Sequence, residues 1–172
     1  MPFMKKITLL LLLFLGCYNN SFSQTFEKTF ITLNNYLNGA YDMVYAPDGY
    51  LWITERIGEK IWRVDPNNTA IKDELIDLNT SVYRTGGQDG LLGFVLHPNF
   101  GKGSGTDYMY LSYTYSINGT DAGRRTRLVR LTYTKIGDDG TLGSSLTLLE
   151  GLNATNDHNS AKFAFGPDNK LY

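Results

Sequence analysis

Ala46-Pro47-Asp48-Gly49-Tyr50-Leu51-Trp52 decides the fold, because the chain repeats its shape. An apolar run from Asp42 to Ala46 ends at a Pro-Asp-Gly turn, and an aromatic-rich run follows from Tyr50 to Glu55. Proline presets the turn, and aspartate and glycine complete it at little steric cost. Leu91-Leu92-Gly93-Phe94-Val95-Leu96 leads the same way into His97-Pro98-Asn99-Phe100, and Tyr108 to Tyr115 follows. Lys162-Phe163-Ala164-Phe165 opens a third copy through Gly166-Pro167-Asp168 to Tyr172. The copies recur at roughly the ~40–50 residues of a propeller blade, the second interval lengthened by an insertion.

The segments between the copies also read as strands and turns. After Gly58-Glu59-Lys60, the run Lys60 to Asp65 alternates with period two. Pro66-Asn67-Asn68 turns the chain, and Ile71 to Leu78 reads as a solvent-facing outer strand. Arg127 to Lys135 alternates polar and apolar residues, Gly137-Asp138-Asp139-Gly140 is a hairpin turn, and Ser145 to Leu149 pairs back. No amphipathic helix is evident outside the N-terminal leader. The expected fold is all-β, with about two propeller blades and the start of a third. Closing such a ring takes at least ~4 blades. The chain therefore reads as the front part of a longer protein, expected to be inactive alone and to expose an unpaired aromatic edge.

Composition agrees. The 172 residues are 42% hydrophobic, enough to bury a core, and 18 Gly with 12 Tyr suit short strands joined by turns. Net charge is -1, and removing the leader takes away Lys5 and Lys6, leaving a mild acidic excess. That balance argues against a nucleic-acid binder dominated by phosphate contacts. Lys5-Lys6 followed by Ile7 to Gly16 is too short to span a bilayer and fits a secretory signal peptide. Small residues at Ser21 and Ser23 place cleavage before Gln24, giving a leader 1–23 and a mature domain 24–172 that is periplasmic or secreted. The alternative exit is Leu15-Gly16-Cys17 as a lipoprotein box, with Cys17 lipidated and the protein held at the outer membrane. Cys17 is the one cysteine, so no intrachain disulfide can form.

The chemistry-bearing feature is Asp157-His158, an acid beside a histidine. An imidazole is a suitable base near neutral pH, and a carboxylate can fix its tautomer. Trp52-Ile53-Thr54-Glu55-Arg56, Gly87-Gln88-Asp89-Gly90-Leu91-Leu92-Gly93-Phe94, His97-Pro98-Asn99-Phe100, Asp157-His158-Asn159-Ser160 and Gly166-Pro167-Asp168 occur in that order. From about Phe26 to Tyr172 the chain resembles the N-terminal part of the soluble quinoprotein glucose dehydrogenases, within the glucose/sorbosone dehydrogenase family.

That resemblance implies a six-bladed β-propeller that oxidises the anomeric hydroxyl of aldoses to lactones, with pyrroloquinoline quinone (PQQ) and calcium as cofactors. It implies His158 as general base, Asp157 as the acid that orients it, and Gln88 as a side chain that hydrogen-bonds the sugar. It leaves the electron acceptor open and allows a homodimer of the longer parent. The family's quinone and calcium ligands are expected after Tyr172, so no residue here is assigned to either. Ala161-Lys162 stands where the family has Gly-Arg.

Other features have plainer readings. His97 before Pro98 reads as a structural turn histidine. Gly86-Gly87, Gly90 and Gly93 lack the lysine and helix of a phosphate cradle. Asp65-Pro66-Asn67-Asn68 lacks the glycine and terminal glutamate of a calcium loop. Arg124, Arg125, Arg127 and Arg130 read as the polar face of a strand and its preceding loop. A non-catalytic exported propeller that binds carbohydrate or protein is the competing function, since this scaffold does not fix an activity.

Overall fold

The computed structural model describes residues 37–68 and 72–172. The leader, its cleavage before Gln24, and Cys17 lie outside the described residues. Among the described residues, eight strands form two antiparallel four-stranded sheets. The first holds β1 (Ala40–Tyr45), β2 (Leu51–Glu55), β3 (Lys60–Val64) and β4 (Lys72–Asp77) in sequential order. The second holds β5 (Leu91–Leu96), β6 (Tyr108–Ser116), β7 (Arg124–Ile136) and β8 (Asp139–Asn153) in the same way. No α-helix occurs among the described residues, and one 3₁₀ turn, Asp121–Gly123, precedes β7. These are two successive blades of a β-propeller.

The Pro-Asp repeat is reproduced bond by bond. In the first copy Ala46 N–H donates to Tyr50 O at 2.9 Å and Gly49 N–H to Ala46 O at 3.0 Å. In the third, Gly166 N–H donates to Lys170 O at 2.9 Å and Asn169 N–H to Gly166 O at 3.0 Å. Asp48 Oδ1 accepts Tyr50 N–H at 3.1 Å, and Asp168 Oδ1 accepts Lys170 N–H at 3.1 Å. The other carboxylate oxygen takes Trp52 Nε1–H at 3.1 Å in one and Tyr172 O–H at 3.0 Å in the other. The turn aspartate thus locks its turn and orients the aromatic side chain four residues on. In the third copy Phe165 bridges Leu171, and Ala164 and Tyr172 exchange backbone hydrogen bonds at 3.0 and 2.9 Å.

The core lies between the sheets. Trp52, Ile61 and Leu75 meet Leu91, Phe94, Phe100, Met109, Leu131 and Tyr133, all buried. Trp52 stands edge-on to Phe100 and Tyr133 at 5.2 and 5.0 Å between ring centres, a preferred aromatic geometry. Arg63 joins the blades across this core, although 1% exposed. It pairs with Asp73 at 2.7 Å, donates to Tyr133 Oη at 2.8 Å and to Asp138 O, and stacks 4.1 Å from Tyr50. Burial alone would lower the Arg63 guanidinium, but the Asp73 carboxylate, Tyr133 and Asp48 hold it above its usual range.

Three expectations need correction. β4 is not wholly solvent-facing, because Leu75 turns into the core and Thr141 of β8 donates to Leu75 O at 3.4 Å. β8 is far longer than Ser145 to Leu149, because it follows β7 through three register shifts. At each shift β8 carries one extra residue opposite β7, and pairing resumes beyond it. Arg124 and Arg125 begin β7 and do not precede it, and Arg124 is buried with acid partners. His97 is the expected turn residue. Its Nδ1 accepts Asn99 N–H at 3.1 Å and its ring packs edge-on to Phe165 at 5.6 Å.

Candidate active site

Two segments with no regular structure meet at the N-terminal end of β5. One is the turn Thr85–Gly90, and the other is the loop from Ala154 to Lys162. The turn is fixed from beneath. Arg56, just past β2, donates through Nη1 to Gly87 O and, at 3.2 Å, to Asp89 O. Asp89 is fully buried, and its Oδ2 accepts Thr85 N–H at 2.7 Å and Thr85 O–H at 3.2 Å. Arg124 pairs with the same oxygen at 3.2 Å, reaches Thr85 Oγ1 at 2.6 Å and Asp121 at 2.8 Å, and lies over the Tyr83 ring. A charge so deeply buried is tolerated because it is paired and hydrogen-bonded. Nearby, burial raises the Glu59 carboxyl above its usual value, with the Arg84 contact pulling the other way.

The glycines of the Gly87–Gly93 motif make room for the loop. A Cβ at Gly87 would overlap the carbonyl oxygen of Asn156, and one at Gly93 would overlap that of Ala161. Gln88 N–H then donates to Asn156 O at 2.6 Å. The motif is therefore a docking surface for the backbone that carries His158, which explains glycine at both positions.

The loop itself holds its shape by short local bonds. Thr155 Oγ1 donates to Asp157 O and accepts Asp157 N–H at 3.1 Å. Asn159 Nδ2 donates to Thr155 O at 2.6 Å, and Asn159 Oδ1 accepts Thr155 N–H at 3.2 Å. His158 takes a left-handed φ of 54°, uncommon for a non-glycine residue. Its N–H points to two acceptors, Asp157 Oδ1 at 3.0 Å and Gln88 Oε1 at 3.2 Å. Asp157 Oδ2 stands 3.7 Å from His158 Nδ1, close enough for electrostatic attraction and too long for a hydrogen bond. The imidazole is 87% exposed. Past it, Lys162 pairs with Asp42 of β1 at 2.7 Å, and Asp42 Oδ2 accepts Phe94 N–H at 3.2 Å. The lysine that departs from the family pattern thus ties the loop to the inner strands of both blades.

All three residues singled out in the sequence, Gln88, Asp157 and His158, come together here. Arg56, Asp89, Arg124 and Asp42 carried no visible signal of their supporting role. Asp89 within the glycine-rich stretch Gly86–Gly93, and the i, i+3 pair Asp121 and Arg124, are the traces that could have pointed to it.

Residues 37–172 match the family model for glucose/sorbosone dehydrogenases. The chain belongs to this family. It is 37% identical over 153 residues to quinoprotein glucose dehydrogenase B of Acinetobacter calcoaceticus, covering 87% of this chain and 30% of that protein. A solved structure of the PQQ-bound form of an aldose sugar dehydrogenase from Streptomyces coelicolor superposes with a TM-score of 0.66 at 30% identity. That match covers 84% of this chain and 40% of the other. The chain thus spans about a third of the curated relative's length.

Among the described residues, those around the turn do not fit a quinone or a calcium ion. Among the described residues no group of three or more His, Cys, Asp or Glu is placed to hold a metal. The guanidinium groups around the turn are already engaged, Arg56 by carbonyls, Arg84 by Glu59 and Arg124 by Asp89.

Proposed function

We propose that this chain supplies the proton-handling half of a PQQ-dependent sugar dehydrogenase that oxidises the anomeric hydroxyl of an aldose to a lactone. The reading rests on one observation. The family-matched Gly87–Gly93 motif and the Asp157-His158 pair, far apart in sequence, are brought into direct contact by backbone fit. His158, exposed at the end of the blades, takes the hydroxyl proton through an imidazole nitrogen. Asp157 stabilises the imidazolium that forms. Gln88 donates its side-chain amide to a sugar oxygen. A bound quinone would supply the acceptor for the hydride of the anomeric carbon, with calcium as its expected companion. In this reading the residues that hold both groups lie outside those described. Export through the leader 1–23, with lipidation at Cys17 as the alternative, completes the proposal and places the enzyme where external sugars reach it.

The test uses the protein expressed from its complete gene, with PQQ and calcium added. Aldose-dependent dye reduction with lactone as product is the expected result. His158→Ala should lower turnover by ~10²–10⁴, the usual worth of a positioned base. Near-normal aldose oxidation by quinone-loaded His158→Ala would remove the assigned role.

A further inference from the structure

Gln88 does more in this structure than wait for a sugar. We propose that it is a positioning residue, whose side-chain carbonyl clasps the backbone N–H of His158 while its amide NH₂ alone remains for the substrate. The inference rests on the functional reading above, and deepens it at the same site.

The assignment of oxygen and nitrogen in Gln88 follows from its partner. His158 N–H can only donate, so the atom 3.2 Å away must be Oε1. Gln88 Nε2 then has no acceptor among the described residues and is free to donate. A side chain committed in this way discriminates. It serves a substrate oxygen bearing a lone pair, a hydroxyl or ring oxygen, and rejects a group that can only donate.

The clasp joins a firm partner to a less firm one. Gln88 stands on backbone whose carbonyls on either side, at Gly87 and Asp89, are held by Arg56. The Asp89 side chain is pinned in turn by Arg124 and Thr85. His158 stands on exposed backbone with a left-handed φ, and its N–H reaches one acceptor on its own loop and one across to the turn. Gln88 is the side chain that carries the geometry of the buried turn to the residue that bears the imidazole. Gln88 itself is exposed, so substituting it leaves the buried core untouched.

Two substitutions separate clasp from sugar contact. Gln88→Ala removes both the acceptor and the donor. Gln88→Glu keeps an acceptor for His158 N–H and loses the donor. In the full-length protein without quinone, hydrogen exchange at the His158 amide should speed up about fivefold in Gln88→Ala, the worth of one ordinary hydrogen bond. It should return to the wild-type rate in Gln88→Glu. In the loaded enzyme Gln88→Ala should lower kcat about ten- to a hundredfold, the scale of a misplaced catalytic group. Gln88→Glu should lose clearly less kcat than Gln88→Ala and raise KM about tenfold. Unchanged His158 exchange in Gln88→Ala would overturn the proposal, and so would equal loss of kcat in both variants. If the exchange pattern holds but the wild type oxidises no aldose, the clasp is supported and the dehydrogenase reading alone fails.

Discussion

The turn at Thr85–Gly90 and the loop at Ala154–Lys162 meet face to face, yet they are held in opposite ways. The turn is anchored by buried charge, with Asp89 fully enclosed and Arg124 nearly so. The loop is anchored by Thr155 and Asn159, bonding to backbone within four residues of themselves in an exposed setting. Local bonds of that kind fix a shape but not a place. The place comes from the turn and the start of β5, through the missing side chains of Gly87 and Gly93 and through Gln88, with the Lys162–Asp42 pair beyond. A residue that has to reach substrate can therefore stay exposed while its backbone is set from the core.

The comparison can be broken at its strongest point first. Asp89→Ala leaves the buried Arg124 with only the exposed Asp121 as acid partner, and should cost about 3–5 kcal/mol in denaturant unfolding. Thr155→Ala on the loop, which loses only exposed bonds, should stay within about 1 kcal/mol by the same measurement. Similar losses for the two would erase the distinction. Gly87→Ala acts on the junction. Gly87 does not take a left-handed φ, so the added methyl probes contact with Asn156 alone. It should destabilise by about 1–3 kcal/mol, the cost of overpacking, and lower turnover, because the loop must move aside. Lys162→Ala removes a pair whose lysine is mostly exposed. Its effect on unfolding should be at most about 1 kcal/mol, read together with a modest rise in KM.

The smallest effect is a pH dependence. The Glu59 carboxyl titrates above its ordinary value, chiefly because it is partly buried. A raised folded pKa favours the native state while the group is protonated, and that contribution fades as pH rises from the ordinary carboxylate value through the folded one. Glu59→Gln should therefore match the wild type at acid pH and be slightly more stable above that window in thermal melts. A variant less stable at neutral pH would show that the Arg84 contact outweighs desolvation.

What the sequence disclosed follows from how local each feature is. The Pro-Asp turns are complete within seven residues, so Ala46–Trp52 and Gly166–Tyr172 match each other in the amino-acid sequence alone. β5 was legible at both ends because glycine and proline flank an unbroken apolar run. Arg124 was misread because its partner Asp89 lies on another segment, and a lone arginine beside other arginines looks like a solvated face. The extent of β8 was hidden because polar and glycine residues dominate its first half, and pairing with β7 overrides their weak strand preference. Asp157, His158 and Gln88 were found through the family pattern. Their mutual geometry was not legible, since a glycine in a sequence does not say whose carbonyl it makes room for.

The central claim is that the buried turn acts on catalysis through His158. A double-mutant cycle of Gly87→Ala and His158→Ala tests it most directly, read as turnover per quinone-loaded enzyme. If Gly87→Ala harms turnover by displacing His158, it should cost little more once the imidazole is gone, and the double variant should match His158→Ala alone. Full additivity, with Gly87→Ala costing as much in the absence of His158 as in its presence, would contradict the account.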